Sequence, residues 1–330
     1  MEYTAIKLVK RPEIYITPDL FEVIKVQKPE LQDGQILLKQ THMSLDPAMK
    51  GWMMPDEESY IPPVGLGEVM RSSGLGEVVE SRNANFPVGA RVMGMMGWTE
   101  YAVSNGERMN IIPDGVPAEA VLCVLSLPGI TAYQGLVEMG KPKAGETLVV
   151  SGAAGSVGSL VGQIAKIEGM RVVGTAGGDE KCRWLTDEVG FDAAINYKSD
   201  DLTTQLADAT PAGVDLYFEN TGGPVQHATF ERMNAHGRII VCGMISDYNT
   251  DTPSAGPNWI NIIKKRLTIQ GFAIPDHWDD VPRMSQKLAG YLMGGQLKYR
   301  AHKLQGLESA IEGINLLFSG GNQGKLMVEL

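Results

Sequence analysis

Only three cysteines occur in 330 residues, Cys123, Cys182 and Cys242, scattered and odd in number. That excludes a disulfide framework and points to a reducing, cytoplasmic setting. The five histidines, His42, His227, His236, His277 and His302, show no metal-ligand spacing, and no cysteine precedes residue 120. Basic runs are equally scarce: Lys264-Lys265-Arg266 alone stands out, against a formal charge of −10. Nucleic acid and anionic membranes are therefore poor partners. No apolar stretch approaches the roughly 18 residues that span a bilayer. The opening MEYTAIKLVKRPE lacks the apolar centre of a signal peptide. No internal repeat or low-complexity tract is present. What remains is an ordinary globular composition, 43% hydrophobic and 21% charged, long enough for two domains.

Against this background one stretch carries chemistry. Leu148–Gly158 reads LVVSGAAGSVG, a short apolar strand entering a glycine-spaced turn, and SLVGQIAKIEG after it has the pattern of an amphipathic helix. A helix N-terminus offers free N–H groups and partial positive charge to a nucleotide diphosphate. Small residues let the backbone approach the pyrophosphate, and Gly158 lets the helix pack against the strand. The spacing is G-x-x-G-x-x-G at Gly152, Gly155 and Gly158, with Ala153 where the strict fingerprint has its first glycine. Glycine turns after strands are common, but MRVVGTAGG follows at βαβ distance. Dinucleotide binding is the expectation.

The tip of that second strand indicates which dinucleotide. A site for NAD places a carboxylate there for the ribose hydroxyls. Here the strand ends Thr175-Ala176-Gly177-Gly178, followed by Lys181. Glycines leave room for a 2′-phosphate and the ammonium neutralises it, which favours NADP. Lys181 also reads as an ordinary solvated first-turn residue, with Asp179 and Glu180 beside it.

Along the chain, residues 1–126 read as a β-rich, barrel-like domain, with strands over Ala5–Val9, Phe21–Lys25, Gln35–His42, Leu75–Ser81, Arg91–Met95 and Trp98–Val103. Residues 127–275 alternate helix and strand, the pattern of an α/β, doubly wound parallel sheet. Residues 276–330 read as mostly helical, with a final strand Gly324–Leu330, and are expected to return to the first domain. Ligands of open α/β sheets bind beyond the carboxyl ends of the strands. Two apolar strands stop there in small residues, at Glu219-Asn220-Thr221-Gly222-Gly223 and at Cys242–Tyr248. Asn220 is placed for cofactor or ribose, or equally for satisfying its own turn.

With LPGITAY, VVSGAAGSVGSLVGQIAK, VVGTAGGDEK, Asn196-Tyr197, VDLYFENTGG and CGMISDYN in one order, the chain resembles the medium-chain dehydrogenase/reductase superfamily over nearly its full length. Within it the chain is similar to the zinc-free, NADPH-dependent branch of leukotriene 12-hydroxydehydrogenase, prostaglandin reductase, plant alkenal double-bond reductases and bacterial curcumin reductase. SLDPAMKGWM, YIPPVGLGEVMR and GNQGK fit the same branch.

The resemblance implies a Rossmann domain, a GroES-like β-rich substrate domain and bound NADPH. It puts Gly155, Ser156, Val157 and Gly158 at the pyrophosphate, and Lys181 and Tyr197 at the 2′-phosphate and adenosine end. Asn220, Cys242, Gly243, Met244, Ile245 and Ser246 would line the cofactor, with Phe272, Ala273, Ile274 and Asn322 near the nicotinamide and Thr131 beneath it. Many relatives carry Tyr where this chain has Ala48, and Tyr60 is the candidate replacement. Met49, one of the methionines that crowd the first domain, is a candidate pocket residue, although core filling is the commoner use of methionine. Zinc-dependent relatives carry Gly-His-Glu where this chain reads Gly65-Leu66-Gly67-Glu68, and Leu66 cannot ligate a metal.

Without zinc, a conjugated C=C–C=O is the easiest target. Hydride adds to its β-carbon and charge collects on the carbonyl oxygen as an enolate. An oxyanion donor then suffices. Tyr248 is the candidate donor, acting with the cofactor ribose; a tyrosine that caps the loop or packs on the cofactor is its plainer reading. The expectation is a 2-alkenal/enone reductase, with a quinone reductase or a non-catalytic NADPH-binding protein as alternatives. The alternating Leu267–Phe272, LTIQGF, is expected to form a sheet edge that pairs with a second copy as a homodimer.

Overall fold

Short segments that alternate apolar and polar residues form antiparallel strands wherever one face can be buried. The computed structural model describes residues 1–330. In it this pattern gives β1 (Glu2–Leu8) and β2 (Phe21–Gln27), an antiparallel pair, then β3 (Ile36–Ser44), β4 (Ser73–Ser81), β5 (Arg91–Met95), β6 (Tyr101–Ser104) and β7 (Asn110–Ile111). Two strands from far along the chain, β14 (Ala301–Gln305) and β15 (Lys325–Glu329), complete a sheet of order β14-β15-β3-β4-β5-β7, with β6 paired to β3. β15 runs antiparallel to β3, Val328 opposite Met43. Ile6, Leu8, Met43, Met49, Trp98 and Val328 form its core, and Phe21 stacks on Trp98 at 5.0 Å between ring centroids.

A buried ion pair locks the two ends of this unit. Lys325 and Asp46 are almost without exposed surface, and their charged atoms lie 2.8 Å apart. Lys325 also donates to the Leu45 carbonyl at 2.7 Å, and Ser44 donates to Asp46. The residues after β3 and the start of β15 are thereby held together.

The other unit is built on strands with continuous apolar runs, as a sheet covered on both faces requires. β8 (Thr147–Val150) is wholly buried, and β9 (Arg171–Ala176) and β11 (Val214–Glu219) nearly so. With β10 (Ala193–Asn196), β12 (Met233–Val241) and β13 (Thr268–Gly271) they form a parallel sheet of order β10-β9-β8-β11-β12-β13. The order reverses between β8 and β11, which makes the carboxyl ends of those strands the switch point where such sheets bind ligands.

Three expectations need correction. The two units divide at 122/123 and 300/301, so residues 276–300 stay with the parallel sheet. The cause is the helix Val281–Met293, which buries Met284 and Leu288; a Cβ on Gly129 would lie 3.1 Å from Leu288. Strand β14 was read as helix: AHKLQ carries little apolar signal, and pairing to β15 alone defines it. Finally, Ala118–Gly140 forms a 23-residue run of helical segments, bent at Ser126, whose most apolar window has a mean hydropathy of 1.6, long and apolar enough to cross a membrane. Ser126 and Gln134 break the run in sequence, yet 78% of its most apolar window is buried inside the protein, as in a core helix.

Candidate active site

The glycine turn folds as a cradle. Gly152 takes φ +58°, and Gly155 caps the helix Ser156–Ile167. A Cβ on Gly158 would lie 2.5 Å from the Gly152 carbonyl oxygen and 2.9 Å from the Ala153 Cα, so any larger residue lifts the helix off the turn. Close approach is repeated behind it, where Gly174 of β9 faces the Ala153 methyl and the Phe191 ring. The Ser156 hydroxyl is buried at the first turn of this helix and has no hydrogen-bond partner. A buried hydroxyl without a partner costs free energy unless a ligand supplies one.

Beside the cradle, β8 and β11 are cross-linked through a carboxylate that sequence reading did not single out. Glu219 is fully buried. It accepts from the Ser151 hydroxyl at 2.7 Å, the Tyr217 hydroxyl at 2.7 Å, and the Thr221 and Gly222 amides at 2.7 and 3.0 Å. Burial, then the Glu219 charge, pushes the neighbouring Cys242 thiol up to about 12. Asn220 is fixed by the same knot: its backbone N–H donates to the Ser151 hydroxyl at 2.8 Å, and its side-chain amide donates to the Ser151 carbonyl at 2.7 Å.

The loop after β12 closes over this edge. The Cys242 and Gly243 amides donate to the Glu219 carbonyl, those of Ile245 and Ser246 to the Asn220 and Thr221 carbonyls. Met244 and the Ser246 hydroxyl flank Gly222, at φ +75°. The Tyr248 hydroxyl stands over Gly243, 3.1 Å from where a Cβ would project. The first five of these loop residues and Asn220 thus gather at one edge with Gly155, Ser156, Val157 and Gly158.

At the β9 tip, Gly177 packs against Tyr197 and Lys198 from the end of β10. A Cβ there would lie 3.1 Å from the Tyr197 hydroxyl and 3.2 Å from the Lys198 Cε. Lys181 follows in the next helix, its ammonium pushed below the usual lysine range by burial and then by the Lys198 charge, with Glu180 opposing. The neighbouring carboxylates are engaged elsewhere: Asp179 accepts from the Asn196 side chain at 2.8 Å, and Glu180 lies 3.8 Å from Arg300. Tyr197 also lines a cleft of about 760 Å³ with Ser199–Thr203, Pro224 and His227.

Other sequence-selected residues are placed as follows. Thr131 donates to the Leu127 carbonyl at 2.7 Å within its own helix. Phe272 lies just past β13 against Gly135, with Ala273 and Ile274 next in the chain. Asn322, Met49 and Tyr60 belong to the β-rich unit. There Asn322 donates to the Gly324 carbonyl at 2.8 Å, Met49 is fully buried in the core, and Tyr60 is 57% exposed.

Comparison with known proteins gives the chain its relations. Residues 4–112 match the family described as the N-terminal domain of oxidoreductase, and residues 156–290 the family described as zinc-binding dehydrogenase. The chain is 39% identical to the NADPH-dependent curcumin reductase of Escherichia coli, covering 98% of this chain and 95% of that protein. It is 39% identical to the NADP(+)-dependent 2-alkenal reductase of Nicotiana tabacum, covering 92% and 90%. Among solved structures, CurA from Vibrio vulnificus in complex with NADPH superimposes with a TM-score of 0.93 at 40% identity, over 99% of this chain and 98% of that one.

The zinc in the second family description does not fit the residues present. No three His, Cys, Asp or Glu side chains gather in a way that could hold a metal ion. At Gly65-Leu66-Gly67-Glu68 the one carboxylate turns back to accept the Gly65 amide at 2.9 Å. A dinucleotide does fit, at the partnerless Ser156 hydroxyl and the glycine cradle. On fold, motifs and full-length similarity, the chain belongs to the medium-chain dehydrogenase/reductase superfamily, on the branch that includes the curcumin, prostaglandin and 2-alkenal reductases.

Proposed function

We propose that the chain is an NADPH-dependent reductase of the C=C bond of α,β-unsaturated aldehydes and ketones. The observation that carries this is the combination at the β9 tip: Gly177 and Gly178 with no carboxylate ending the strand, and Lys181 behind them. Similarity at 39% to reductases named for NADPH and for 2-alkenals supports the same reading.

Bound NADPH supplies hydride to an electron-poor carbon. The chain's own tasks are then binding, orientation and charge stabilisation. Gly155, Ser156, Val157 and Gly158 hold the pyrophosphate through helix N–H groups and the Ser156 hydroxyl. Lys181 and Tyr197 hold the 2′-phosphate end. Asn220, Thr131, Cys242–Ser246, Phe272–Ile274 and Asn322 orient the rest of the cofactor, and Tyr60 belongs to the substrate side; Met49, packed wholly inside the core, fills it and does not line a pocket. Reduction of an enone at its β-carbon leaves negative charge on the carbonyl oxygen, and the Tyr248 hydroxyl donates to that oxygen. Water supplies the α-carbon proton.

The protein is further proposed to act as a homodimer through β13, which is hydrogen-bonded on one side only. Ile263 beside it is 73% exposed, Trp259 54% and Ile260 47%, an apolar surface that pairing would cover. Three free thiols suit a cytoplasmic setting. The deciding experiment is NADPH consumption with a panel of alkenals, arylidene ketones and quinones, with product masses. A saturated carbonyl product is expected. A hydroquinone as the sole product, or tight NADPH binding with no turnover, would overturn the reading.

A further inference from the structure

A phosphate monoester carries a charge of about −1.5 to −2 at neutral pH. One ammonium does not neutralise it. The β9 tip holds a second: the Lys198 Cε lies 3.2 Å from the Cβ position of Gly177, and the Lys198 charge reaches Lys181. Two ammonium groups held together without an anion repel, and such pairs persist where an anion is bound between them. Of the nearby carboxylates, Asp179 is held by the Asn196 side chain, and the Glu180 charge only partly offsets the Lys198 charge and burial at Lys181. Lys198 is also held in register, because its amide donates to the Asn196 side chain at 3.2 Å.

We infer that Lys198 is a specificity-determining residue, the second cation of a two-lysine clamp that closes on the 2′-phosphate of NADPH from the β10 side while Lys181 closes from the helix side. The inference rests on the NADPH reading above and deepens it. Its selectivity follows from geometry. Lys181 and Lys198 come from different segments, one in the helix after the β9 tip and one after β10, so the clamp is specific for a group at the strand tip. Any side chain at residue 177 would strike Tyr197 and Lys198. Lys198 is exposed, so its replacement leaves the fold intact.

Calorimetric titration of the full chain with NADPH, NADH, 2′,5′-ADP and 5′-AMP tests this without turnover. Lys198→Ala is expected to weaken NADPH and 2′,5′-ADP by about 5- to 20-fold, the scale of one charge-assisted contact in a partly solvated setting. NADH and 5′-AMP should change less than about two-fold, since they lack the contacted group. Lys198→Arg should restore most of the loss. The salt dependence of 2′,5′-ADP binding should become shallower in Lys198→Ala. Unchanged NADPH affinity in Lys198→Ala, with a selective loss in Lys181→Ala, would overturn the clamp and leave the cofactor reading standing. Equal losses for NADPH and NADH would also overturn it. Wild-type protein that binds NADH as tightly as NADPH would overturn both.

Discussion

Lys181 sits where burial and a like charge both favour its neutral form. The NADPH preference it supports should therefore weaken as pH rises, beginning below the ordinary lysine pKa of about 10.4. The ammonium, depressed by burial and by the Lys198 charge, is lost earlier on the alkaline side than that of an ordinary lysine. NADH affinity should stay flat over the same window, which calorimetry at stepped pH checks. Lys181→Ala should abolish that pH dependence and cost NADPH about 10-fold. For Tyr248, removal of one oxyanion donor costs up to about 10²–10³-fold in rate. Tyr248→Phe should slow single-turnover reduction while NADPH affinity stays nearly intact; an unchanged rate would remove the phenol from the chemistry. Glu219→Gln keeps one acceptor oxygen but sets a buried NH2 donor against the Tyr217 hydroxyl donor. It should cost about 1–3 kcal/mol of stability and weaken NADPH and NADH alike, read by thermal unfolding and titration. The shape of the glycine turn was legible because it follows from spacing, and the roles proposed for Lys181, Tyr197 and Tyr248 come from family motifs. Glu219 was not, since a carboxylate ending an apolar strand looks like a solvated terminus until β8 supplies Ser151. Nor was Lys198: nothing local to Asn196-Tyr197-Lys198 tells that β10 ends beside Gly177.

At the scale of elements, the glycine turn works only because the helix Ser156–Ile167 sits close to it. Gly158→Val should cost about 1–3 kcal/mol, the usual scale of overpacking, and should lose dinucleotide affinity beyond what the lowered melting point explains. The edge strand makes a separate prediction. Gln270→Lys on β13, an exposed position of the edge strand, should shift a dimer toward monomer in sedimentation, because a charge on an edge strand opposes pairing. Wild-type protein that sediments as a monomer at micromolar concentration would remove the dimer. The parallel strands were readable from sequence because burial on both faces demands unbroken apolar runs; Arg91–Met95 in the other unit was placed to the residue. β14 was unreadable because AHKLQ is half-exposed and owes its conformation to one partner. The apolar run around Ser126 was underestimated for another reason, since two buried helical segments follow one another across an extended Ser126 and together make the length that the sequence divides.

The molecule as a whole has a chain order that differs from its order in space. The expected return of residues after 275 to the first unit held only from Ala301, because the amphipathic pattern of Val281–Met293 tells that a face is buried but not against which unit. Prolonged dialysis against a chelator should leave activity and melting temperature unchanged, as the donor set requires; stoichiometric zinc in the purified protein would contradict it. The interleaving also sets a timetable for synthesis. Residues 123–300 form one uninterrupted stretch, so the parallel-sheet unit can assemble as soon as it leaves the ribosome. Residues 1–122 emerge earlier yet cannot finish, because β3 lacks its neighbour β15 and Asp46 lacks Lys325. At about 5–20 residues per second the wait is roughly 10–40 s. Through that interval the nascent chain carries an open β-edge and a carboxylate destined for burial, and the half translated first becomes the half folded last.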